Sequence, residues 1–264
     1  MTIRFARAED LPSIREIWRT SFPDDSDRDR DAFLELIDLS AECLVAEVDG
    51  YPRSMGFFLP ATLHTNDGIF SLRYLYAAST LPSARGSGLF ANILNTAADI
   101  FKKDGISAIY LKPAQPSLVS YYQRLGCIST NYTRLITEKA VPTDYAIQRL
   151  SSEAYASKRE DLLSGAHISL DDRFVRYAAE YTLPLAVGSV ACALLVKQGG
   201  IARILELCGQ NTLEIRSSLA SFCDCTTYQM FVKTEQGNCQ GMILPLNETK
   251  DWLMKPFDMG LTLD

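Results

Sequence analysis

The stretch from Leu75 to Phe90 constrains the fold of this chain more than any other part of the sequence. It begins as an apolar β-strand, passes through a turn that contains Gly86 and Gly88, and continues as a helix to about Lys103. Two glycines in such a turn allow a sharp change of direction and let a ligand come close to backbone N–H groups. These N–H groups open a helix, where unpaired donors and the positive end of the helix dipole favour an anion. With Arg85 beside them, the turn is predicted to bind a pyrophosphate.

Two common phosphate-binding motifs do not fit this turn. The dinucleotide motif G-x-G-x-x-G requires a third glycine where Ala91 stands, and the surrounding order of strands and helices also differs. The nucleoside-triphosphate motif requires a G-K-S/T sequence, which does not follow. A helix N-terminus with two glycines and no ligand is the remaining alternative.

Hydrophobic periodicity and turn residues predict the order of elements. The first half has strands at 2–7, 43–48, 53–63, 69–78, 108–111 and 130–139, and helices at 11–22, 32–41, 88–103 and 116–124, with an exposed loop at 24–30. After a boundary at Val141-Pro142-Thr143, helices are predicted at 145–163, from Ser169, and at 211–222, and strands at 187–197, 201–208, 228–234 and 239–246. The second half thus repeats the strand, strand, helix, strand order of residues 53–111, which suggests a worn internal duplication.

This order, together with the glycine turn, resembles the GCN5-related N-acetyltransferase (GNAT) superfamily. The family motif R/Q-x-x-G-x-G/A is matched by the two glycines of the turn, whereas its first position falls on Ser83. The resemblance covers residues 2–139 and implies an α/β (α+β) fold with a mixed, mostly antiparallel sheet of the acyl-CoA N-acyltransferase type. It also implies acetyl-CoA as co-substrate, with its pantetheine arm paired to the splayed end of a strand. The implied cofactor-binding residues are Ala77, Ala78 and Ser79 in the strand and Ala84, Arg85, Gly86, Ser87, Gly88 and Leu89 in the turn.

A second motif lies at the end of the helix predicted at 116–124. The sequence from Tyr122 to Cys127 is similar to the family's Y-x-x-x-G-F, with Cys127 in place of the phenylalanine and Gly126 at the helix C-cap. The resemblance implies that Tyr122 lies near the thioester sulfur and protonates the leaving thiolate, which is chemistry that a phenol can perform. Tyr121 is an alternative acid, and a core aromatic residue is the structural alternative for Tyr122.

The second half of the chain has no comparable glycine turn. A single glycine, Gly209, stands where the phosphate loop would be, and no arginine precedes it. Residues 142–264 are therefore predicted to form a smaller, degenerate acetyltransferase-like domain without coenzyme, after an acetyl-CoA-binding domain at 1–141. This half resembles the second domain of acetyltransferases of the enhanced-intracellular-survival type. In those enzymes the terminal carboxylate acts as the base, which implies Asp264 as a catalytic residue here; an ordinary tail is the alternative.

Composition limits the partners. The chain has 32 acidic and 26 basic residues and a net charge of −6, which argues against nucleic acid and mildly favours a cationic amine acceptor. Seven cysteines lie mostly in apolar runs, as reduced thiols do, and Cys223-Asp224-Cys225 lacks the partners of a zinc site. No apolar run is long enough for a membrane span, so a cytoplasmic protein is expected. Both histidines, His64 and His167, are interpreted as surface residues.

The sequence therefore predicts an N-acetyltransferase that moves an acetyl group from acetyl-CoA directly to a primary amine, without a metal. The acceptor is expected to be a small molecule or a peptide, and the oligomeric state stays open. A non-catalytic protein that binds or senses acyl-CoA is the alternative function.

Overall fold

A computed structural model describes residues 1–247, 257–258 and 261–263 of the chain. The described residues form two compact units. Unit 1 contains residues 1–63, 68–130 and 241–247, and unit 2 contains residues 64–67, 131–240, 257–258 and 261–263. Each unit is a β-sheet with helices packed against its strands.

The first half of the chain contains the elements that build the candidate site. Its strands are β1 (Thr2–Phe5), β2 (Cys43–Val48), β3 (Tyr51–Thr65), β4 (Gly68–Thr80), β5 (Ala108–Leu111) and β6 (Ile128–Lys139). Its helices are α1 (Leu11–Ser21), α2 (Asp27–Leu36), α3 (Leu39–Glu42), α4 (Leu89–Lys103) and α5 (Ser117–Arg124).

The second half continues with shorter elements. Its strands are β7 (Ile147–Arg149), β8 (His167–Leu170), β9 (Leu183–Val187), β10 (Ala191–Gln198), β11 (Ile201–Gly209), β12 (Thr227–Lys233) and β13 (Asn238–Pro245). Its helices are α6 (Ser152–Leu162), α7 (Asp172–Glu180) and α8 (Leu213–Phe222). No helix among the described residues combines the length and the apolar character of a membrane span.

The sheet of unit 1 has the order β1-β2-β3-β4-β5-β13, and that of unit 2 has the order β6-β12-β11-β10-β9-β7. Strands β4 and β5 run parallel because α4 crosses between them, and β11 and β12 run parallel across α8. The other strand pairs of known register are antiparallel. The predicted fold class, a mixed and mostly antiparallel sheet with a second, smaller copy, is confirmed.

The internal duplication is visible in this topology. The order β3, β4, α4, β5 of unit 1 returns as β10, β11, α8, β12 in unit 2, with the same parallel pair at its end. Each unit is completed by a strand from the other half of the sequence. Strand β13 pairs with β5 in unit 1, and β6 pairs with β12 in unit 2.

An aromatic cluster fixes the helices of unit 1 against the sheet. Trp18 of α1, Phe33 of α2 and Phe57 of β3 are fully or almost fully buried, with ring centroids 5.2–5.4 Å apart. The ring of Tyr76 joins them at 5.0 Å from that of Phe33. Each such buried ring contributes roughly 1.5–3 kcal/mol to folding. The cluster therefore anchors β4 at the residue that precedes Ala77.

Several local predictions are wrong, and each error has a physical cause. The helix predicted from Ser169 begins only at residue 172, because Asp171 caps it by accepting a hydrogen bond from the N–H of Arg173 at 3.0 Å. Residues 27–30 are not loop but the first turn of α2, because Ser26 caps this helix by accepting a hydrogen bond from the N–H of Asp29 at 3.1 Å. The helix predicted at 145–163 is divided into β7 and α6, since Ser151 caps a helix that begins only at residue 152. The strand predicted at 187–197 is divided into β9 and β10 by a turn at 188–190.

Of the two histidines, His167 departs from its predicted surface position, whereas His64 is partly exposed. His167 lies in β8 rather than in a loop and is 9% exposed. Its ring stacks on that of His64 with 4.8 Å between centroids. The ring nitrogen Nδ1 of His167 lies 2.9 Å from the carbonyl oxygen of Gly165. These two rings come together through tertiary packing of residues about one hundred positions apart, which no local sequence pattern could indicate.

Candidate functional site

Strands β4 and β5 separate at the candidate site. Their parallel pairing runs from Leu72 and Ala108 to Leu75 and Leu111, where β5 ends. Strand β4 continues for five more residues, to Thr80. On one side these five residues are adjacent to β3. On the other side they extend beyond the last residue of β5. The carboxyl end of a strand in such a crevice is where α/β proteins commonly bind ligands.

The backbone of β4 is strained at this point. Ala77 has a φ of +46°, in the left-handed region that residues with a side chain rarely adopt. Such a conformation costs about 1–2 kcal/mol and persists where neighbouring contacts hold it. It interrupts the extended backbone of β4 at this residue, although the strand continues to Thr80.

Four hydroxyl groups, here named the hydroxyl cluster, hold the residues after Ala77. The members are Ser21 of α1, Ser54 of β3, and Ser79 and Thr80 of β4. Ser54 Oγ donates to the carbonyl oxygen of Ser79 at 2.9 Å and lies 2.7 Å from Thr80 Oγ1. Ser79 Oγ is hydrogen-bonded to Ser21 Oγ. Ser79 is therefore fixed through both its main chain and its side chain.

The predicted phosphate turn follows directly. Residues 82–84 form a single 3₁₀ turn, in which the N–H groups of Ala84 and Arg85 donate to the carbonyls of Leu81 and Pro82 at 2.8 and 3.3 Å. No backbone hydrogen bond between described residues starts from the N–H of Gly86, Ser87 or Gly88. Of the turn residues predicted from the sequence, these are the ones whose donors are open to a ligand, together with Leu89 at the first position of α4.

Gly86 and Gly88 have the backbone that the sequence analysis required of them. Their φ angles are +79° and +76°, and a Cβ built on either one meets no atom within 4 Å. Both residues are exposed. The space beside the two glycines is thus open to a ligand and is not filled by the protein's own packing.

Arg85 adds positive charge to the turn. Its Nε donates to the carbonyl oxygen of Thr80 at 3.1 Å, and the residue is exposed. The guanidinium is therefore tied to the end of β4, and Arg85 directly precedes Gly86 in the chain.

Tyr122 lies close to the same helix end. Its ring is 7% exposed and packs edge to face on Phe90, the second residue of α4, with 6.4 Å between centroids. The N–H of Cys127 donates to the carbonyl of Tyr122 at 3.0 Å, which closes the C-cap at Gly126. Tyr121 is half-buried, and burial raises the pKa of its phenol while the nearby Arg124 opposes that rise. Tyr122 is therefore in contact with the first turn of α4 through the ring of Phe90.

The corresponding place in unit 2 is closed. A Cβ on Gly209 would lie 2.3 Å from the carbonyl oxygen of Val190, so this glycine serves close packing. The N-terminus of α8 is capped by Thr212, whose hydroxyl accepts from the N–H of Ile215 at 3.3 Å. Helix α4 begins at Leu89 with Gly88 as its N-cap residue, and within the described part of the chain no side chain caps it. Of two topologically equivalent helix starts, that of α8 thus has a side-chain cap and that of α4 has none.

The sequence-predicted residues divide into two groups, and the structure adds a third group that was not predicted. The strand residues 77–79, the turn residues 84–89 and Tyr122 all lie in unit 1 around the start of α4. Asp264, the predicted base, lies outside the described residues. Ser21, Ser54 and Thr80 were not predicted; a serine inside the apolar strand β3 is the only local signal for any of them. Among the described residues, no cluster of three side chains could hold a metal ion.

Comparisons with known proteins agree with this geometry. Residues 2–129 match the sequence profile of the acetyltransferase (GNAT) domain. A search of curated proteins finds no match.

Several solved structures align with nearly the whole length of this chain. One is Eis1 of Mycobacterium abscessus, which is 12% identical with a TM-score of 0.70, over 94% of this chain and 74% of that one. Another is a protein of Enterococcus faecalis V583 described as a probable N-acyltransferase, 13% identical with a TM-score of 0.75, over 93% and 72%. A tandem GNAT protein from the clavulanic acid biosynthesis pathway is 9% identical with a TM-score of 0.55, over 94% and 99%. At these identities the likeness shows a shared fold.

Proposed function

Residues 2–129 of this chain belong to the GNAT acetyltransferase family, and from this premise we propose that the protein transfers an acetyl group from acetyl-CoA directly to a primary amine. The observation that carries the proposal is the start of α4. Its N–H groups are uncapped among the described residues, and Gly86 and Gly88 leave the approach to them open. The equivalent helix of unit 2 is capped by its own Thr212.

The turn is proposed to hold the pyrophosphate of the coenzyme. The N–H groups of Gly86, Ser87, Gly88 and Leu89 supply donors, and the helix dipole and Arg85 supply positive potential. Ala84 belongs to the turn, but its N–H is already bonded to the carbonyl of Leu81. We therefore assign to Ala84 the shaping of the turn and not a direct phosphate contact.

The acyl end is proposed to lie along the part of β4 that continues past β5. Backbone N–H groups of residues 77–79 would orient the thioester and polarise its carbonyl as the amine attacks. A new C–N bond forms, the C–S bond breaks, and the thiolate of coenzyme A leaves. Tyr122 is proposed to give its phenolic proton to this thiolate.

The amine must lose a proton for the reaction to balance. An alkyl amine is mostly protonated near neutral pH, so a base or water takes that proton before or during attack. Asp264 stays the candidate for this base from the sequence. The net charge of −6 favours the approach of a cationic acceptor such as an amino sugar, a polyamine or a lysine side chain.

Release of free thiol tests the proposal. The protein is incubated with acetyl-CoA and, separately, with each member of a panel of polyamines, amino sugars and lysine peptides. We expect thiol release that depends on both acetyl-CoA and at least one amine. Six of the seven cysteines are buried and Cys239 is partly exposed, so a reaction without amine gives the background from protein thiols. Saturable binding of acetyl-CoA without amine-dependent release across the panel would contradict an enzymatic role.

A further inference from the structure

Strand β3 contains a buried hydroxyl group that the proposed mechanism does not use. Ser54 is 0% exposed and is flanked along β3 by residues that face the core, among them Met55 and Phe57. A buried hydroxyl is retained at low cost only when its hydrogen bonds are made. Both partners of Ser54 lie at the end of β4, 25 and 26 residues further along the chain.

The number of protons fixes the direction of these hydrogen bonds. A serine hydroxyl has a single proton to donate, and Ser54 gives it to the carbonyl oxygen of Ser79 at 2.9 Å. The contact of 2.7 Å between Ser54 Oγ and Thr80 Oγ1 is therefore donated by Thr80. Ser54 thus donates to the main-chain carbonyl of Ser79 and accepts from the side-chain hydroxyl of Thr80. It thereby bridges the main chain and a side chain at the end of β4.

The bond to Ser79 also determines where the next N–H group points. In a planar trans peptide the C=O and the N–H point to opposite sides. Because the carbonyl of Ser79 points to β3, the N–H of Thr80 points away from β3, to the side where β4 has passed the end of β5.

The next peptide, between Thr80 and Leu81, has the opposite orientation: its N–H points to β3 and its carbonyl points away. The N–H of Leu81 donates to the carbonyl of Arg53 in β3 at 2.9 Å, and the carbonyl of Thr80 accepts from Arg85 at 3.1 Å. Two successive peptides at the end of β4 are thus held by hydrogen bonds to Ser54 and Arg53 of β3 and to Arg85 of the turn. They follow directly after the strained Ala77, whose left-handed conformation needs such support.

We propose that Ser54 is a positioning residue for acyl transfer: its hydroxyl holds the carbonyl of Ser79 towards β3 and thereby keeps the N–H of Thr80 directed at the open edge of β4. This rests on the proposed function, because the open edge is where the acyl end of the coenzyme is assigned. Ser54 does not touch the substrate. It acts through Ser79 and Thr80, and the inference adds the N–H of Thr80 to the donors of residues 77–79 that are proposed to face the acyl end.

The variant Ser54→Ala tests this role. Without the hydroxyl, the Ser79–Thr80 peptide can rotate, and kcat for acetyl transfer is expected to fall about 10-fold or more. The affinity for coenzyme A is expected to change less than about 3-fold, because the phosphate turn forms its own hydrogen bonds. A merely structural role would lower the melting temperature and leave kcat of the folded enzyme unchanged.

A matched control separates these effects. Ser217 is also 0% exposed, and its hydroxyl accepts a single hydrogen bond, from the N–H of Val141 in unit 2. Ser217→Ala is expected to lower the melting temperature as Ser54→Ala does, with kcat kept. If Ser54→Ala does not fold, Thr80→Val replaces it. That variant removes the donor to Ser54 without removing volume, and kcat is expected to fall about 3-fold.

The outcomes distinguish this inference from the proposed function. A wild-type protein without acetyl transfer overturns both. If the wild type is active and the kcat of Ser54→Ala stays within about 2-fold of the wild-type value, the role of Ser54 is overturned and the proposed function stands. The same conclusion follows if Ser217→Ala loses as much kcat as Ser54→Ala. With Thr80→Val as the replacement, an unchanged kcat overturns the role of Ser54. The proposal is supported if kcat falls in Ser54→Ala or Thr80→Val but not in Ser217→Ala, while the affinity for coenzyme A is kept.

Discussion

Gly86 and Gly88 precede α4, and Gly209 precedes α8. Gly86, Gly88 and Gly209 all have positive φ angles, so all three need glycine for backbone reasons. They differ in what surrounds them. A side chain on Gly209 would meet the carbonyl of Val190, whereas one on Gly86 or Gly88 would occupy open space. The open glycines make the turn of unit 1 a candidate site, and the packed glycine of unit 2 closes its counterpart.

The substitution Gly86→Ala tests this difference, with Gly105→Ala as its control. Both glycines have nearly the same φ, +79° and +78°, and neither has an atom within 4 Å of a built Cβ. Both variants should therefore lose a similar free energy of unfolding, about 1–2 kcal/mol. Only Gly86→Ala places a methyl group where the pyrophosphate is proposed to approach, and we expect it to weaken coenzyme A binding about 10-fold in calorimetry. Equal affinities for coenzyme A in the two variants would show that the turn is not the phosphate site.

The residue scale also shows where sequence reasoning stops. The glycine turn and Tyr122 could be found from the sequence because their signals are local: spacing, turn chemistry and a helix C-cap. Ser54 could not, since its partners Ser79 and Thr80 are determined by the pairing of β3 with β4. The strain at Ala77 has no local signal either, because alanine is an ordinary residue in a strand until its φ is known.

Helices α4 and α8 show the same division between ligand binding and structure at the scale of elements. Both cross from an antiparallel hairpin to a parallel strand, so the fold places their N-termini alike. Thr212 satisfies a donor of α8, whereas Gly88 provides no side chain for α4. The sequence predicted both helices to within two residues at their ends. The sequence analysis placed the start of α2 too late and joined β7 and α6 into one helix, because single serine caps outweighed the periodicity there.

Helix α5 offers a paired test of the proposed acid. Tyr122 and Tyr121 are neighbours with ring centroids 5.4 Å apart, but only Tyr122 has a ring contact with Phe90 of α4 among the contacts described above. Tyr122→Phe keeps the ring and removes the proton donor, so kcat is expected to fall about 100-fold with the fold unchanged. Tyr121→Phe should stay within about 3-fold of the wild type. The measurement is kcat by thiol release for both variants, and a loss that follows Tyr121 instead would move the acid to that residue.

At the scale of the whole molecule, one topology occurs twice. The order of elements predicted this duplication, and the single glycine without a preceding arginine at Gly209 predicted that the second copy lacks the glycine turn. The exchange of β6 and β13 between the units was not predicted. Each strand has the same alternating pattern whichever sheet receives it, so only tertiary pairing decides its place.

Unit 2 contains a buried ion pair between Arg159 and Glu206. Arg159, fully buried, donates to both carboxylate oxygens of Glu206 at 2.9 and 3.0 Å, and Tyr155 donates to the same carboxylate at 2.6 Å. Every oxygen of that carboxylate is thus engaged inside the unit. Together with the capped α8 and the packed Gly209, this favours a structural role for the second copy and a single coenzyme site per chain.

Titration calorimetry of the intact chain with coenzyme A, and separately with pantetheine, tests the central claim most directly. Pantetheine has the same thiol-bearing arm but no pyrophosphate, so the comparison isolates the contribution of the glycine turn. We expect coenzyme A to bind saturably at one site per chain and pantetheine to bind at least about 100-fold more weakly, because charge-assisted hydrogen bonds to the two phosphates are absent. The absence of heat with millimolar coenzyme A, or an equal affinity for both compounds, would contradict the claim that the start of α4 is the binding site.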